Sequence, residues 1–222
     1  MLRELIEELA SVLTGRTYWL DVVLPPVLFA AVNAAFSFQV AMATAVALAV
    51  VVSVIRVARK ESLLYALGGL LAVLAAVAIV RVLGRDEGFF IPGILTNGTT
   101  VLLAVGSVLA KRPLVAWSSY IARRWPLAWY WHDQVRPAYS EVTWAWAVFF
   151  GMRLLGQLFL FQGANADGLV VFNLLAGWPA ILALLIGSYV YGRWRLRHLA
   201  GPSVEEFRQN APPPWQGQPR GF

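Results

Sequence analysis

The chain has 222 residues, 59% of them hydrophobic and only 14% charged, with a formal net charge of +6 and no cysteine. Soluble domains carry about a quarter charged residues, and "VAMATAVALAVVVSV" offers no polar face to a helix in water. The composition therefore points away from a soluble domain and excludes disulfide and thiolate chemistry. Basic loops retained on the cytoplasmic side account for the charge more simply than nucleic-acid binding does.

The first segment, "LRELIEELASVL", sets Leu2, Leu5, Ile6, Leu9 and Leu13 on one helical stripe, with Glu4, Glu7 and Glu8 elsewhere. Residues 1–19 are read as an amphipathic cytoplasmic helix. Its acidity argues against anionic lipid as its main partner and for packing on the protein's own cytoplasmic face. No removable signal peptide is expected, because no uninterrupted apolar core precedes a cleavage site.

Residues 20–193 form the transmembrane domain. From Pro25 to Ile55 a single helix would run about 46 Å and would need a tilt of about 50°, outside the usual range of about 0–40°. A hairpin bending near Phe36–Gln39 gives two spans of about 17 residues each, the lower limit for crossing. Four further runs follow at Ser62–Leu83, Ile91–Ala110, Val142–Phe161 and Leu169–Tyr191. The expected fold is all-α: a polytopic transmembrane bundle of six spans, with five as the alternative, plus an interfacial amphipathic helix. Stripes of small residues, Ala41, Ala45, Ala49 and Ser53 in the second span and Gly68, Ala72 and Ala76 in the third, predict close packing.

Charge sets the topology. With six spans, Arg81 and Arg85 lie on one face, Arg153 lies inside a span, and the other fifteen of the 18 basic residues share the opposite face. The expected location is the cytoplasmic (inner) cell membrane, with both termini cytoplasmic. Five spans would move Arg3 and Arg16 across.

"FFIPGILTNGTTVLL" at 89–103 places Pro92 in the first turn of a span, where its missing N–H is not needed. Gly93 and Gly98 are expected to allow close helix approach, and Asn97, Thr99 and Thr100 to bond to neighbouring helices. The six-span topology brings Asn33, Asn97, Gln157, Asn173 and Arg153 to the outer part of the bilayer. They read either as glue between helices or as a cavity centred on Arg153, for which Asp86, Glu87 and Asp167 are the nearest candidate counter-ions.

Residues 111–140 hold an aromatic-basic segment expected to lie on the cytoplasmic surface. Trp117, Arg123, Arg124, Trp125, Trp129 and Trp131 are its candidate lipid or partner contacts, since indoles favour the headgroup level and arginine favours phosphate. Residues 194–222 are basic at first, and the Pro/Gly-rich tail from Gly201 is expected to be disordered. His132 and His198 both fall in cytoplasmic segments, which leaves no intramembrane histidine–carboxylate pair for a metal. No P-loop or nucleophile elbow occurs. No catalytic residue, metal or cofactor is expected. Glu141, at the edge of the fifth span, is the carboxylate nearest to an intramembrane position.

The stretches "LPPVLFAAVNA", "RKESLLYALGGL", "GFFIPGILTN", "AKRPLVA", "WAVFFGMRLLGQLFLF" and "LLAGWPAILALL" resemble the domain of unknown function 3159 family, actinobacterial polytopic membrane proteins. The resemblance implies a six-helix membrane fold and carries no information about activity. A fainter similarity to intracellular septation protein A implies a role in the cell envelope or in division. The expected function is that of a non-enzymatic integral membrane protein supporting envelope biogenesis or division through membrane lipids or through division or envelope proteins. A small transporter or channel using the Arg153 layer is the alternative.

Overall fold

The computed structural model describes residues 18–219 and 221–222, so the expected N-terminal amphipathic helix lies almost wholly outside the described residues. Helices α1 (Tyr18–Ala35), α2 (Phe38–Ala58) and α3 (Leu63–Leu83) come first, followed by a 3-10 turn over Asp86–Phe90. Then come α4 (Ile91–Leu109), α5 (Leu114–Arg123), α6 (Leu127–Tyr130), α7 (Arg136–Gln162), α8 (Ala166–Leu175), α9 (Trp178–His198) and α10 (Val204–Arg208). No strand occurs among the described residues. Among the described residues, five stretches are long and apolar enough to cross a membrane: Phe38–Ala58, Ala66–Leu83, Asp86–Leu109, Arg136–Gln162 and Ala166–His198. A shorter apolar helical stretch, Leu24–Ala35, precedes them.

These helices leave most of their apolar surface uncovered. Leu64 is 86% exposed, Val82 84% and Phe159 78%. In water such a surface would drive aggregation, whereas in hydrocarbon it costs nothing. The backbone groups of a helix are satisfied internally, as a bilayer requires.

The chain divides into two compact units. The first comprises residues 18–92 and 157–178. Here α1 and α2 form the expected hairpin, and the break falls at Phe36–Ser37, where the Ser37 hydroxyl accepts from the Val40 N–H at 3.3 Å. Pro25 and Pro26 lie inside α1, each removing one intrahelical bond, so the helix starts before the proline pair and not at it. Phe29, Phe38, Phe89 and Phe90 fill the hairpin end, with Phe29 stacked on Phe89 at 5.1 Å. On α2 the small-residue stripe is buried at Ala41 and Ser53. On α3 the buried positions are Ala66, Ala76 and Val80, while Gly68 and Ala72 are exposed, so the packing face is rotated from the expected stripe. The run expected as one last span breaks at Ala176–Gly177, between α8 and α9. A side chain on Gly177 would collide with the Asn173 carbonyl, so the break requires glycine.

The second unit comprises residues 93–156 and 179–222. Gly98 of α4 faces Leu154 of α7 at a distance that leaves room for a methyl group. Close approach there does not depend on glycine, contrary to expectation.

The tail expected to be disordered carries α10, closed by a capping box in which Ser203 and Glu206 bond each other's backbone N–H groups. Order comes from contacts that composition does not reveal. Gly201, Pro202, Ser203 and Val204 are buried, and Phe222 belongs to an aromatic core with Trp129, Tyr130 and Tyr139.

Several helix ends stop on left-handed basic residues. Lys60, Lys111 and Arg124 have φ of 59°, 55° and 56°. After α2 and α4 the N–H groups of Glu61 and Arg112 return to the Arg56 and Ser107 carbonyls, the long bond of a Schellman stop.

Candidate functional site

The proposed polar layer divides between the units. In the first, the Gln157 amide donates to Asn173 Oδ1 at 2.6 Å, and Asn173 Nδ2 donates to the Leu169 carbonyl at 2.8 Å. Gln157 is almost fully buried. Asn33 Nδ2 donates to Asp167 Oδ1 at 2.8 Å, Gln39 donates to Asp86 at 3.2 Å, and Arg85 pairs with Glu87 at 3.3 Å. The three acids considered as counter-ions for Arg153 thus each have a partner inside the first unit. Arg85 also donates to the Phe161 carbonyl at 3.2 Å and lies over the Phe161 ring. In the second unit Asn97 is buried on α4 and Arg153 is half-buried on α7. Gln157 and Asn173, two residues of the predicted set, are thus bonded to each other.

The aromatic-basic segment becomes a small folded core. A turn at Pro126 separates α5 from α6 and directs Trp129 and Tyr130 inward, where both are fully buried. Trp129 meets Trp125 edge-on at 5.3 Å and Tyr130 at 5.1 Å. The Trp129 indole N–H donates to the Pro202 carbonyl at 2.8 Å. Trp129 is therefore a core residue and not the lipid or partner contact expected, because the tail covers it. The Tyr130 hydroxyl shares a 3.2 Å hydrogen bond with Ser119. Burial pushes its phenol above the ordinary range, partly offset by the Ser119 bond and the Arg123 charge. Tyr130 is thus a neutral hydroxyl at physiological pH.

The other five predicted contacts divide by exposure. Trp117 (38% exposed) packs against Trp131 at 5.7 Å, and Arg112 lies 4.5 Å over the Trp131 ring. Arg124 is exposed beside Ile121, which is 64% exposed. The opposite face of α5, at Ala116 and Ser119, is buried. Arg123 and Trp125 are turned toward the tail instead: Arg123 Nε donates to the Phe222 carbonyl at 3.0 Å and its guanidinium lies 5.1 Å over Trp125.

Sequence reading missed the engagement of Glu141. Arg195 grips both its carboxylate oxygens, Nε to Oε2 at 2.8 Å and a terminal nitrogen to Oε1 at 2.9 Å, and the Tyr191 hydroxyl donates to Oε2 at 2.7 Å. This ties α7 to α9. The signal was present, since a lone acid at one end of an apolar helix calls for a base at the adjacent end of another. Among the described residues no group of three or more acids and histidines could hold a metal. Asp133 pairs with Arg136 at 3.1 Å, and His132 stacks edge-on against Trp215 at 5.3 Å.

Exposed apolar helices, internally bonded amides and a compact aromatic core together define a multi-spanning helical membrane protein. Residues 13–198 match the family described as "Protein of unknown function (DUF3159)", and the chain belongs to that family. No curated protein and no solved structure matches it.

Proposed function

We propose that the chain is a non-enzymatic membrane scaffold that supports envelope biogenesis or division by holding lipid headgroups or a partner protein at the rim formed by α5. The observation that carries this reading is the rim itself: Trp117 and Ile121 stand outward on α5, whose other face is buried, with exposed Arg124 at its end and the Arg112–Trp131 stack beside Trp117. Aromatic rings and guanidinium groups side by side suit the headgroup layer and the centres of protein interfaces. The excess of basic residues around this segment supports placing it, with both termini, on the cytoplasmic face of the inner membrane.

The second reading is a small carrier built around Arg153, supported by a half-buried charge inside a long apolar helix. The Gln157–Asn173 bond weighs against it, because amides bound to each other are not offered to a solute. Vesicle reconstitution separates the two. The scaffold reading expects solute flux no higher than in empty vesicles, and photocrosslinkers at Trp117 or Ile121 that capture phospholipid or envelope proteins. Flux of a polar or anionic solute that disappears in Arg153→Leu would overturn it in favour of the carrier.

A further inference from the structure

The aromatic core of the second unit contains a slot that the chain fills with its own last residues. The Phe222 ring stacks on Tyr139 with centroids 4.4 Å apart and an interplanar angle of 8°. On α9, a Cβ placed on Gly192 would overlap that ring, so glycine there makes the slot. Gly221 has φ of +81°, and a side chain on it would meet Arg123 and Trp125, so the chain enters through a second glycine-only position.

Two polar latches beside the slot read backbone rather than sequence. Arg123 donates to the Phe222 carbonyl at 3.0 Å and Arg197 to the Pro219 carbonyl at 2.9 Å. Any extended peptide offers such carbonyls, and the ring slot then supplies selectivity. The Tyr139 hydroxyl is fully buried and completes no hydrogen bond: Ser119 is close enough to influence it, but hydrogen-bond geometry is met only between Ser119 and Tyr130. Arg123, Trp125, Tyr139, Gly192 and Arg197 all fall within the family match over residues 13–198, whereas the tail that fills the slot lies beyond it.

We propose that this slot is a peptide-docking site, that Gly221 and Phe222 occupy it as the tip of an exchangeable internal plug, and that its partner is a protein segment carrying an aromatic ring after a glycine. Docking a partner then requires the tail to leave, which makes the scaffold switchable. This inference rests on the scaffold reading above.

The test uses a fluorescein-labelled peptide of residues 211–222 and the full-length chain in lipid nanodiscs, read by anisotropy. Phe222→Ala, which vacates the slot, is expected to bind the peptide at least about tenfold more tightly than the wild type, whose own tail competes. Adding Arg123→Ala lowers that affinity about tenfold, and a peptide with its phenylalanine replaced by alanine does not bind. Equal peptide binding by Phe222→Ala and wild type, with matching melting temperatures, overturns the proposal. So does a wild-type dimer in which the tails are exchanged between copies. A measurement on the unaltered chain stands beside these: amide hydrogens of residues 211–222 should exchange well before those of Trp129 and Tyr130, and exchange in step with that core also overturns it. Failure here with no solute flux leaves the scaffold standing, whereas Arg153-dependent flux removes both.

Discussion

Gln157 and Asn173 share a 2.6 Å hydrogen bond between α7 and α8, and Asn173 passes its own amide on to the Leu169 carbonyl. The two amides act as a unit. Gln157→Leu and Asn173→Leu should each destabilise the protein, and the double variant should cost less than their sum, with a coupling of about 0.6–2 kcal/mol. Unfolding in mixed detergent micelles measures it. Additive losses would separate the two residues energetically.

Trp129 and Trp117 look alike in sequence and differ in place. Trp129→Phe keeps a ring in the core but strands the buried Pro202 carbonyl, at a cost of about 1–3 kcal/mol. Trp117→Phe on the exposed rim should stay within about 0.5 kcal/mol of wild type. Thermal melts of the two variants side by side decide it.

Tyr139→Phe removes a buried hydroxyl that completes no bond while leaving the stacked ring. Stability should hold or rise by up to about 1 kcal/mol. A clear loss would show that the phenol oxygen is bound after all.

The Glu141–Arg195 grip should be visible through salt. Glu141→Gln keeps the shape and loses the charge, so its melting temperature should fall. The deficit should shrink as ionic strength rises, because screening weakens the wild-type pair. A deficit independent of salt would assign the effect to hydrogen-bond geometry.

Glu206 accepts the backbone N–H groups of Gln216 and Ser203, at 2.9 and 2.8 Å, and these hold its carboxyl below the ordinary value of 4.5. The folded tail therefore takes up a proton less readily than the unfolded chain. Its contribution is complete above the ordinary glutamate range and is lost as pH falls through the lowered folded value. Trp215 emission, followed downward from pH 7, should report the tail loosening in that acid window. Glu206→Gln should start looser and show a flatter profile. His132 stacks on Trp215 in both chains, so their difference isolates Glu206.

The hairpin at Phe36–Ser37 was legible because a run from Pro25 to Ile55 is too long for one span. Length against bilayer thickness is a constraint that sequence carries openly. The break at Gly177 was readable too, in "GWP", but the surrounding run was apolar enough to hide it. The order of the tail was not readable. Proline and glycine suggest disorder by composition, yet here Gly221 and Gly192 are what allow Phe222 to dock. Trp129 misled for a related reason: an indole at a membrane boundary and an indole under a tail have the same sequence signature. The amide pair was named residue by residue, but the partners of Asn33 and Arg85 depend on loop geometry that periodicity does not encode.

Lys60, Lys111 and Arg124 end helices in a backbone region that glycine enters far more easily. At those same ends a cation faces the negative pole of the helix, and it also supplies charge that can orient the chain during insertion. Exchanging these residues for glycine would relax the turns while removing that cation from the helix end. Conformational ease and end charge are set against each other at the same three positions.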